Sequence, residues 1–478
     1  MRKLINFFIF ILPFCSYAQS NIFRSNFDSY FSNIFIDDSI SNTKRIITNS
    51  SQHLKIGTRF FGLGSLSNSK QSYSTYLYGV QLDANFNTKL SISVLCDYLN
   101  GNYNLLIRNY QDSLSIYYPG FGFRNTRLQY NTKYIANRFI TIDFGSGKYF
   151  IGDGYQSLLL SAVSSSYPYF RISTKFGPVK YYNLYTTFTN PDMVDEGRKK
   201  HAAIHYLDFA FTPKIHFGVF ESILWQSKSA GINRGYELAY FNPVIFYRPV
   251  EYSHSSYKAN ALMGATFNIS FYNMILYGQF MLDDLNISRA KDGDDGFDLG
   301  NSTGFFQNKF GYQLGLKGKI KNVKYLIEYN QVQPYSYGHR TVLQNYSHMN
   351  QPLAHSLGAN FKELTNICEI SQGKWNYKIN AMFARVGLDS VGTHYGQNIF
   401  ASDLDASTGG QYSYGNFNGQ GVRTNIFSSY SEVSYKFRWF DVFGSIYYKK
   451  SHSILIDKTM IFYSLGLRNF PFLTFPDY

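Results

Sequence analysis

From about Leu54 onward the chain repeats one pattern, strand-length runs that alternate apolar with polar residues, broken by clusters of Gly, Asn, Asp and Ser. Tyr76, Tyr78, Val80, Leu82, Ala84 and Phe86 fall on one face, with Thr75, Gly79, Gln81, Asp83 and Asn85 on the other. Val323, Tyr325, Ile327 and Tyr329 alternate with Lys324, Glu328 and Asn330. Trp375, Tyr377, Ile379, Ala381 and Phe383 alternate with Lys374, Asn376, Lys378 and Asn380. A period of two is the signature of β-strands with one apolar face. Tyr, Phe and Trp gather at the ends of these runs, where membrane interfaces favour them, and this separates the pattern from that of a water-soluble sandwich.

The last such run, Ile461, Tyr463, Leu465 and Leu467 before Phe470, is an aromatic closing strand of the kind that barrel-assembly machinery reads. The pattern predicts an all-β fold, a transmembrane antiparallel β-barrel over residues 54–478 with about 16 to 18 strands, an even number being usual. Long loops are expected near Asp192–Lys200, Ala290–Thr303, Pro334–Pro352 and Asp403–Asn418.

The first residues follow other rules. Arg2 and Lys3 precede an apolar run from Leu4 to Phe14, then Ser16 and Ala18, which predicts a signal peptide over residues 1–18. Phe14 stands where a lipid-attachment site wants a small residue, which disfavours Cys15 as a lipoprotein anchor. In residues 19–53, Phe23, Phe27, Tyr30, Phe31, Ile34 and Phe35 recur at spacings of three and four. That spacing predicts a short N-terminal helical element against the periplasmic mouth, or plugging it.

Composition narrows the class. Mean hydropathy is −0.24, and after the leader no segment approaches the ~20 apolar residues of a membrane-spanning helix. Aromatics reach 19% with 43 Tyr and 44 Phe, against 16% charged residues, the balance of aromatic girdles around polar alternating strands. The 45 Lys and Arg against 31 Asp and Glu give +14, of which the leader supplies two. That balance suits the phosphates of outer-membrane lipid and lipopolysaccharide, or an acidic surface polysaccharide. The cations are dispersed without a recognition motif, so no nucleic acid is expected as partner. Beyond the leader only Cys96 and Cys368 remain, which rules out a disulfide framework, and Cys96 is in phase with the lipid face of its run.

Motifs for chemistry are weak. His201 and His205 lie four apart in a strand-like run, about 13 Å along one face and too far for one metal ion. Gly145-Ser-Gly-Lys148 lacks the rest of a phosphate loop and reads as a turn. The acidic run Lys291–Asp298 fails calcium-loop spacing. Ser157 lacks the second glycine of a nucleophile elbow. No catalytic residue, cofactor or metal is assigned. Stronger are clusters mixing aromatic, amide and charged groups, such as Arg234-Gly-Tyr-Glu237 and Phe241 to Tyr252 with Arg248 and Glu251. Sugars stack on aromatic rings and hydrogen-bond to such groups. A lumenal charge network explains the same charges equally well.

At these residues the chain resembles the Wzi-like capsule-assembly family of outer-membrane proteins, and within it the RemB-type gliding-motility branch. Three stretches carry the resemblance. The first is Gly152-Asp-Gly-Tyr-Gln-Ser-Leu-Leu-Leu-Ser161 with Tyr167-Pro-Tyr-Phe-Arg171 and Tyr182-Asn-Leu-Tyr185. The second is Arg234-Gly-Tyr-Glu237 with Asn242 to Arg248 and Glu251. The third is Asn308-Lys-Phe-Gly-Tyr-Gln313, continuing through Glu328-Tyr-Asn330, Pro334-Tyr-Ser-Tyr337 and Asn350 to Gly358. Asp153, where a basic residue is expected, and Ser164–Ser166 depart from the family pattern and leave the ligand open.

The resemblance implies a non-enzymatic barrel that binds or organises cell-surface polysaccharide. The expected ligand residues are Tyr155, Tyr167, Tyr169, Arg171, Arg234, Glu237, Arg248, Glu251, Tyr335 and Tyr337. A girdle role for the tyrosines and a structural role for Arg171 and Arg248 stay open beside it. A passive diffusion channel is the alternative function, with a surface hydrolase third; the channel requires an open lumen, the polymer binder a filled one. The location expected is the outer membrane of a Gram-negative bacterium.

Overall fold

The structure, a computed structural model, describes residues 54–68, 72–86, 89–102, 126–193, 197–229, 232–233, 235–236, 238–242, 259–285, 304–410 and 413–469. Eighteen strands form one sheet. They are β1 Leu54–Asn68, β2 Ser72–Phe86, β3 Leu90–Asn102, β4 Thr126–Ile135, β5 Ile140–Gly147, β6 Tyr167–Phe176, β7 Val179–Thr189, β8 Lys199–Thr212 and β9 Ile215–Gln226. There follow β10 Asn260–Phe271, β11 Met274–Asp284, β12 Lys309–Ile320, β13 Val323–Val332, β14 Phe361–Gln372, β15 Trp375–Leu388, β16 Val422–Lys436, β17 Asp441–His452 and β18 Asp457–Arg468. Each pairs antiparallel with its chain neighbours, and β18 returns to β1 from Leu63↔Arg468 to Asn68↔Tyr463, which closes the barrel. Closure removes every edge strand and satisfies the backbone without water, the condition for crossing a bilayer with strands.

Every second connection is a short turn, such as 177–178, 213–214, 272–273, 321–322 and 373–374. These turns lie at one end, together with the start of β1 and the finish of β18. The long connections, 148–166, 333–360 and 389–421 among them, leave the strands at the other. In outer-membrane barrels the short turns face the periplasm and the long loops the exterior.

The alternation read in the sequence holds in the faces. Tyr78, Leu82, Ile327, Ile379, Phe383, Tyr463 and Leu465 are all exposed on the outer wall. Inward positions of the same strands carry Asp83, Glu328, Asn330 and Asn380. Trp375, Tyr377, Phe437, Trp439 and Phe440 make an exposed aromatic girdle at the short-turn end. Cys96 pairs with Val80 on the outward side and is half-buried.

Two expectations need correction. Gly145, Ser146 and Gly147 are not a turn but complete β5; a Cβ on Gly145 would overlap the Tyr130 carbonyl oxygen, so the glycine lets β4 and β5 approach. The loop that follows, 148–166, is not among the expected long loops. Residues 19–53, the loop 290–303 and the acidic run Lys291–Asp298 lie outside the described residues.

Candidate functional site

The chain from Lys148 to Ser166 leaves β5 at the loop end and folds down into the barrel as a finger. Ile151 bridges to Leu160, pairing its two sides. Leu158, Leu159 and Leu160 are wholly buried and pack in one cluster with inward Ile204, Phe220, Leu224, Leu262 and Met281 of the wall. Burial of three leucines gives the finger its apolar drive, about 1.5 to 3 kcal/mol each.

The finger's backbone is then matched by long polar side chains of the facing wall. Both oxygens of buried Glu328 on β13 accept from it, Oε2 from the Tyr155 amide at 2.6 Å and Oε1 from the Gln156 amide at 3.1 Å. The same carboxylate accepts from Tyr277 Oη at 2.8 Å and Asn330 Nδ2 at 2.9 Å. Gln279 on β11 accepts from the Leu158 amide at 2.8 Å and donates to the Ile151 carbonyl at 3.1 Å. Gln313 on β12 donates to the Gln156 carbonyl at 2.8 Å, and Lys317 to the Asp153 carbonyl at 2.7 Å.

At the tip, Asp153 takes a hydrogen bond from Asn268 at 2.8 Å and lies 3.6 Å from Lys317 Nζ. Lys317 is eight residues below the loop-end start of β12, about 26 Å along a strand, so the finger runs most of the barrel's depth. Gly152 has φ +116, and Gln279 occupies the place of its missing Cβ. Gly154 likewise leaves room for Gln313 and Glu328. The Gly-Asp-Gly of the resemblance is therefore a tip built for close polar approach.

A second loop, 333–360, lies over the finger. Tyr337 Oη donates to the Leu158 carbonyl at 2.7 Å, and the Ser161 amide to the Leu353 carbonyl at 2.7 Å, which ties the two together. Buried Lys200 on β8 donates to the Asn345 carbonyl, to Asn345 Oδ1 at 2.7 Å and to Ser347 Oγ at 3.2 Å. Tyr335 and Tyr337 sit at φ 66 and 65, left-handed backbone that side chains rarely adopt. Such strain persists only where surrounding bonds over-determine it, and here they do. Tyr335 donates from its amide to Gly396 O at 2.9 Å and from Oη to His394 O at 2.9 Å, while the Tyr337 amide donates to Asp283 at 2.7 Å. The third loop, 389–421, is thereby held against the second.

His348 braces the second loop to the wall, accepting from the Thr189 amide at 2.9 Å through Nδ1 and donating from Nε2 to the Ser166 carbonyl at 3.2 Å. Burial, helped by nearby Lys200 and Lys148, pushes its pKa down to about 3. An unfolded loop takes up a proton below about pH 6.5, whereas the packed one does so only near the lowered value. The stabilisation is therefore complete above that pH and is lost as pH falls, by up to about 1.4 kcal/mol per unit. Protease cleavage within 333–360 should rise between pH 7 and pH 4. His348→Gln, which cannot titrate, should flatten that profile, and an identical profile in the variant would refute the assignment.

The expected ligand residues divide. Tyr155, Tyr167, Tyr169, Arg171, Tyr335 and Tyr337 all face the interior and are 0 to 7% exposed. Tyr155, Tyr335 and Tyr337 belong to the packed loops. Tyr167, Tyr169 and Arg171 are wall positions of β6, and Arg171 pairs with Asp143 at 2.9 Å beneath the Tyr149 ring. None of these tyrosines presents an open ring face. Arg234, Glu237, Arg248 and Glu251 lie outside the described residues. Their neighbours Tyr236, Tyr240 and Phe241 pack on the outer wall, against His201, Trp225 and Tyr185. His201 and His205 point outward from β8; His201 meets Thr187 at 2.9 Å, and the His205 ring lies 5.6 Å from that of Tyr181, tilted by 55°.

Ser157 donates to the Ile151 carbonyl at 2.6 Å and accepts from the Leu159 and Leu160 amides, which makes it a turn-former inside the finger. Sequence reasoning gave no role to Gln279, Lys317 or Lys200. The available signal was a row of long polar side chains on the inward phase of β8 and β11–β13, more than water contact alone needs.

No family model matches the sequence, and no curated protein matches it. Solved structures do. Wzi, an outer-membrane protein involved in group 1 capsule assembly in Escherichia coli and a carbohydrate-binding β-barrel, is 12% identical with a TM-score of 0.56, covering 87% of this chain and 84% of that one. Pseudomonas aeruginosa OprD is 8% identical with a TM-score of 0.46, covering 87% and 94%. Acinetobacter baumannii OccAB4 is 9% identical with a TM-score of 0.45, covering 87% and 97%. The latter two superpose too loosely to carry an argument. The similarity to Wzi, over most of both chains, shows that this chain has the fold of an outer-membrane β-barrel.

Proposed function

We propose that the protein is a non-enzymatic outer-membrane barrel that binds or organises cell-surface polysaccharide, in capsule assembly or gliding motility, after export on its leader. One observation carries this reading, the lumen filled by two interlocked loops. A diffusion channel needs a continuous water path, and here polar side chains of β8 and β10–β13 are spent on loop backbone. Wzi, the similar barrel, is a carbohydrate binder. Six of the ten expected ligand residues then act from within. Tyr155, Tyr335 and Tyr337 fix the shape of the loops that carry the polymer-facing surface, and Tyr167, Tyr169 and Arg171 fix the wall beneath. Arg234, Glu237, Arg248 and Glu251 remain ligand residues in this reading. The chain's positive charge favours an acidic polymer, with binding weakened by salt.

The test combines two measurements. The purified barrel should show no steady conductance in planar bilayers. Cells carrying Tyr335→Ala with Tyr337→Ala at normal barrel abundance should retain less surface polymer than wild type. Steady porin-like conductance together with unchanged polymer retention would return the reading to a diffusion channel.

A further inference from the structure

At the loop end of the outer wall, four successive strands each present one outward cation: Lys362 on β14, Arg385 on β15, Arg423 on β16 and Lys450 on β17, all exposed. The register brings them together. Lys362 pairs with Arg385, Arg385 with Asn425, Gly387 with Arg423 and Phe427 with Lys450. Four adjacent strands span about 14 Å, and Arg423 and Lys450 stand four residues apart along the strand direction, about 13 Å, so the four cations border one trough of headgroup size. Two adjoining pockets of about 450 and 430 Å³ open here, and both are lined by Lys362 and Arg385. Gly419 lies under the Arg385 and Arg423 side chains, where a Cβ would crowd Arg385.

Among the described residues no carboxylate pairs with any of the four. Glu363, between them in sequence, points inward to His355 at 3.4 Å, and Asp457 sits at the rim with His452 at 3.5 Å. Arg385 Nε donates to Asn425 at 3.3 Å, and the side chain as a whole is exposed. Four cations on one arc with no carboxylate partner among the described residues repel one another, and an anion relieves that.

Their depth identifies the anion. Below them the wall is apolar, with Leu364, Phe383 and Ile379 exposed and Phe427 packed on Phe383 at 4.7 Å between centroids. On β15, Arg385 is ten residues above Trp375 of the opposite girdle. Ten residues are about 34 Å of strand, or about 26 Å of height at the usual tilt, close to the ~25 Å apolar band of such barrels. The cations therefore stand at the headgroup level of the outer leaflet, facing lipid. Arg suits phosphate through paired N–H donors, and Asn308 of the adjoining pocket, whose side-chain oxygen has no hydrogen-bond partner among the described residues, suits a sugar hydroxyl.

We propose that this trough binds the phosphorylated sugar headgroup of an outer-leaflet glycolipid of the lipid A class, with the acyl chains laid down the wall over Leu364, Phe383 and Ile379. The site is separate from the filled lumen and does not depend on the polysaccharide reading.

The test uses the full barrel in detergent with lipid A, dephosphorylated lipid A, inorganic phosphate and an acidic polysaccharide as probes, read by native mass spectrometry. Wild type should bind lipid A about tenfold or more tightly than the R385Q/R423Q variant, the loss expected for removing two interfacial cations. It should ignore dephosphorylated lipid A and inorganic phosphate at the same concentrations. The probe comparison on wild type needs no variant, so a misfolded variant does not spare the proposal. Equal binding of phosphorylated and dephosphorylated lipid, equal binding by a folded R385Q/R423Q variant, or displacement of lipid A by the acidic polysaccharide would each overturn it.

Discussion

Glu328→Ala is expected to turn a closed barrel into a leaking one. The carboxylate is fully buried, and its two oxygens accept from two finger amides, a tyrosine hydroxyl and an asparagine. Alanine leaves the Tyr155 and Gln156 amides without acceptors in an interior that offers no replacement, at about 1 to 3 kcal/mol each. Gln279, Gln313 and Lys317 still hold the finger at other points, so it should loosen rather than leave. The second loop rests on the finger through Tyr337 and Leu353 and should follow it. In planar bilayers the variant should show frequent openings where wild type shows none, and protease should cut within 148–166. The wall loses no strand pairing, so heat-modifiable mobility should persist. Glu328→Gln keeps one acceptor oxygen but turns an amide N–H₂ toward the finger's own donors, and should fall between. If Glu328→Ala stays as closed and as protease-resistant as wild type, the finger is held by its leucines and the polar network is incidental.

The contrast between wall and finger shows what alternation can and cannot reveal. A strand's faces depend on neighbours two residues away, so the outward sets on β2, β13, β15 and β18 were legible from spacing alone. The finger was not, because its partners are remote. Leu158 meets Gln279 and Tyr155 meets Glu328, separations of 121 and 173 residues. Within 148–166 the apolar run at Leu158–Leu160 has no period, and the sequence does not say whether a barrel's polar inner face is turned to water or to backbone.

Tyr167-Pro-Tyr-Phe-Arg171 carries a further signal in its spacing. Tyr167, Tyr169 and Arg171 share a phase, and Arg171 is a buried charge in the middle of β6 rather than at its end, which marks the phase as lumenal and argues against a girdle role for the two tyrosines.

Placing arginine on the lipid face should be the most damaging change to assembly, and the neighbouring inward position gives the control. Leu82 on β2 is 43% exposed and pairs across to outward Val94 on β3. Ile379 on β15 is 52% exposed and four residues in from Trp375, near the middle of the apolar band. Leu82→Arg, Val94→Arg or Ile379→Arg therefore puts a charge against hydrocarbon at about 2 to 4 kcal/mol near the midplane, less where the side chain can reach the interface. Gln81, one residue from Leu82, points inward and donates to Asp83 at 3.1 Å; Ser93, one from Val94, donates to Asp83 at 2.6 Å. Gln81→Arg or Ser93→Arg thus places the same cation beside a carboxylate, where an ion pair offsets the cost of burial. Folding into lipid vesicles across a urea series, read by heat-modifiable mobility, should show the three outward variants shifted to lower urea and the two inward ones close to wild type. The argument turns on a one-residue difference in phase, because a slip of register exchanges the two faces along the whole strand. Equal shifts at Leu82 and Gln81 would mean that β2 does not present these faces to lipid and lumen.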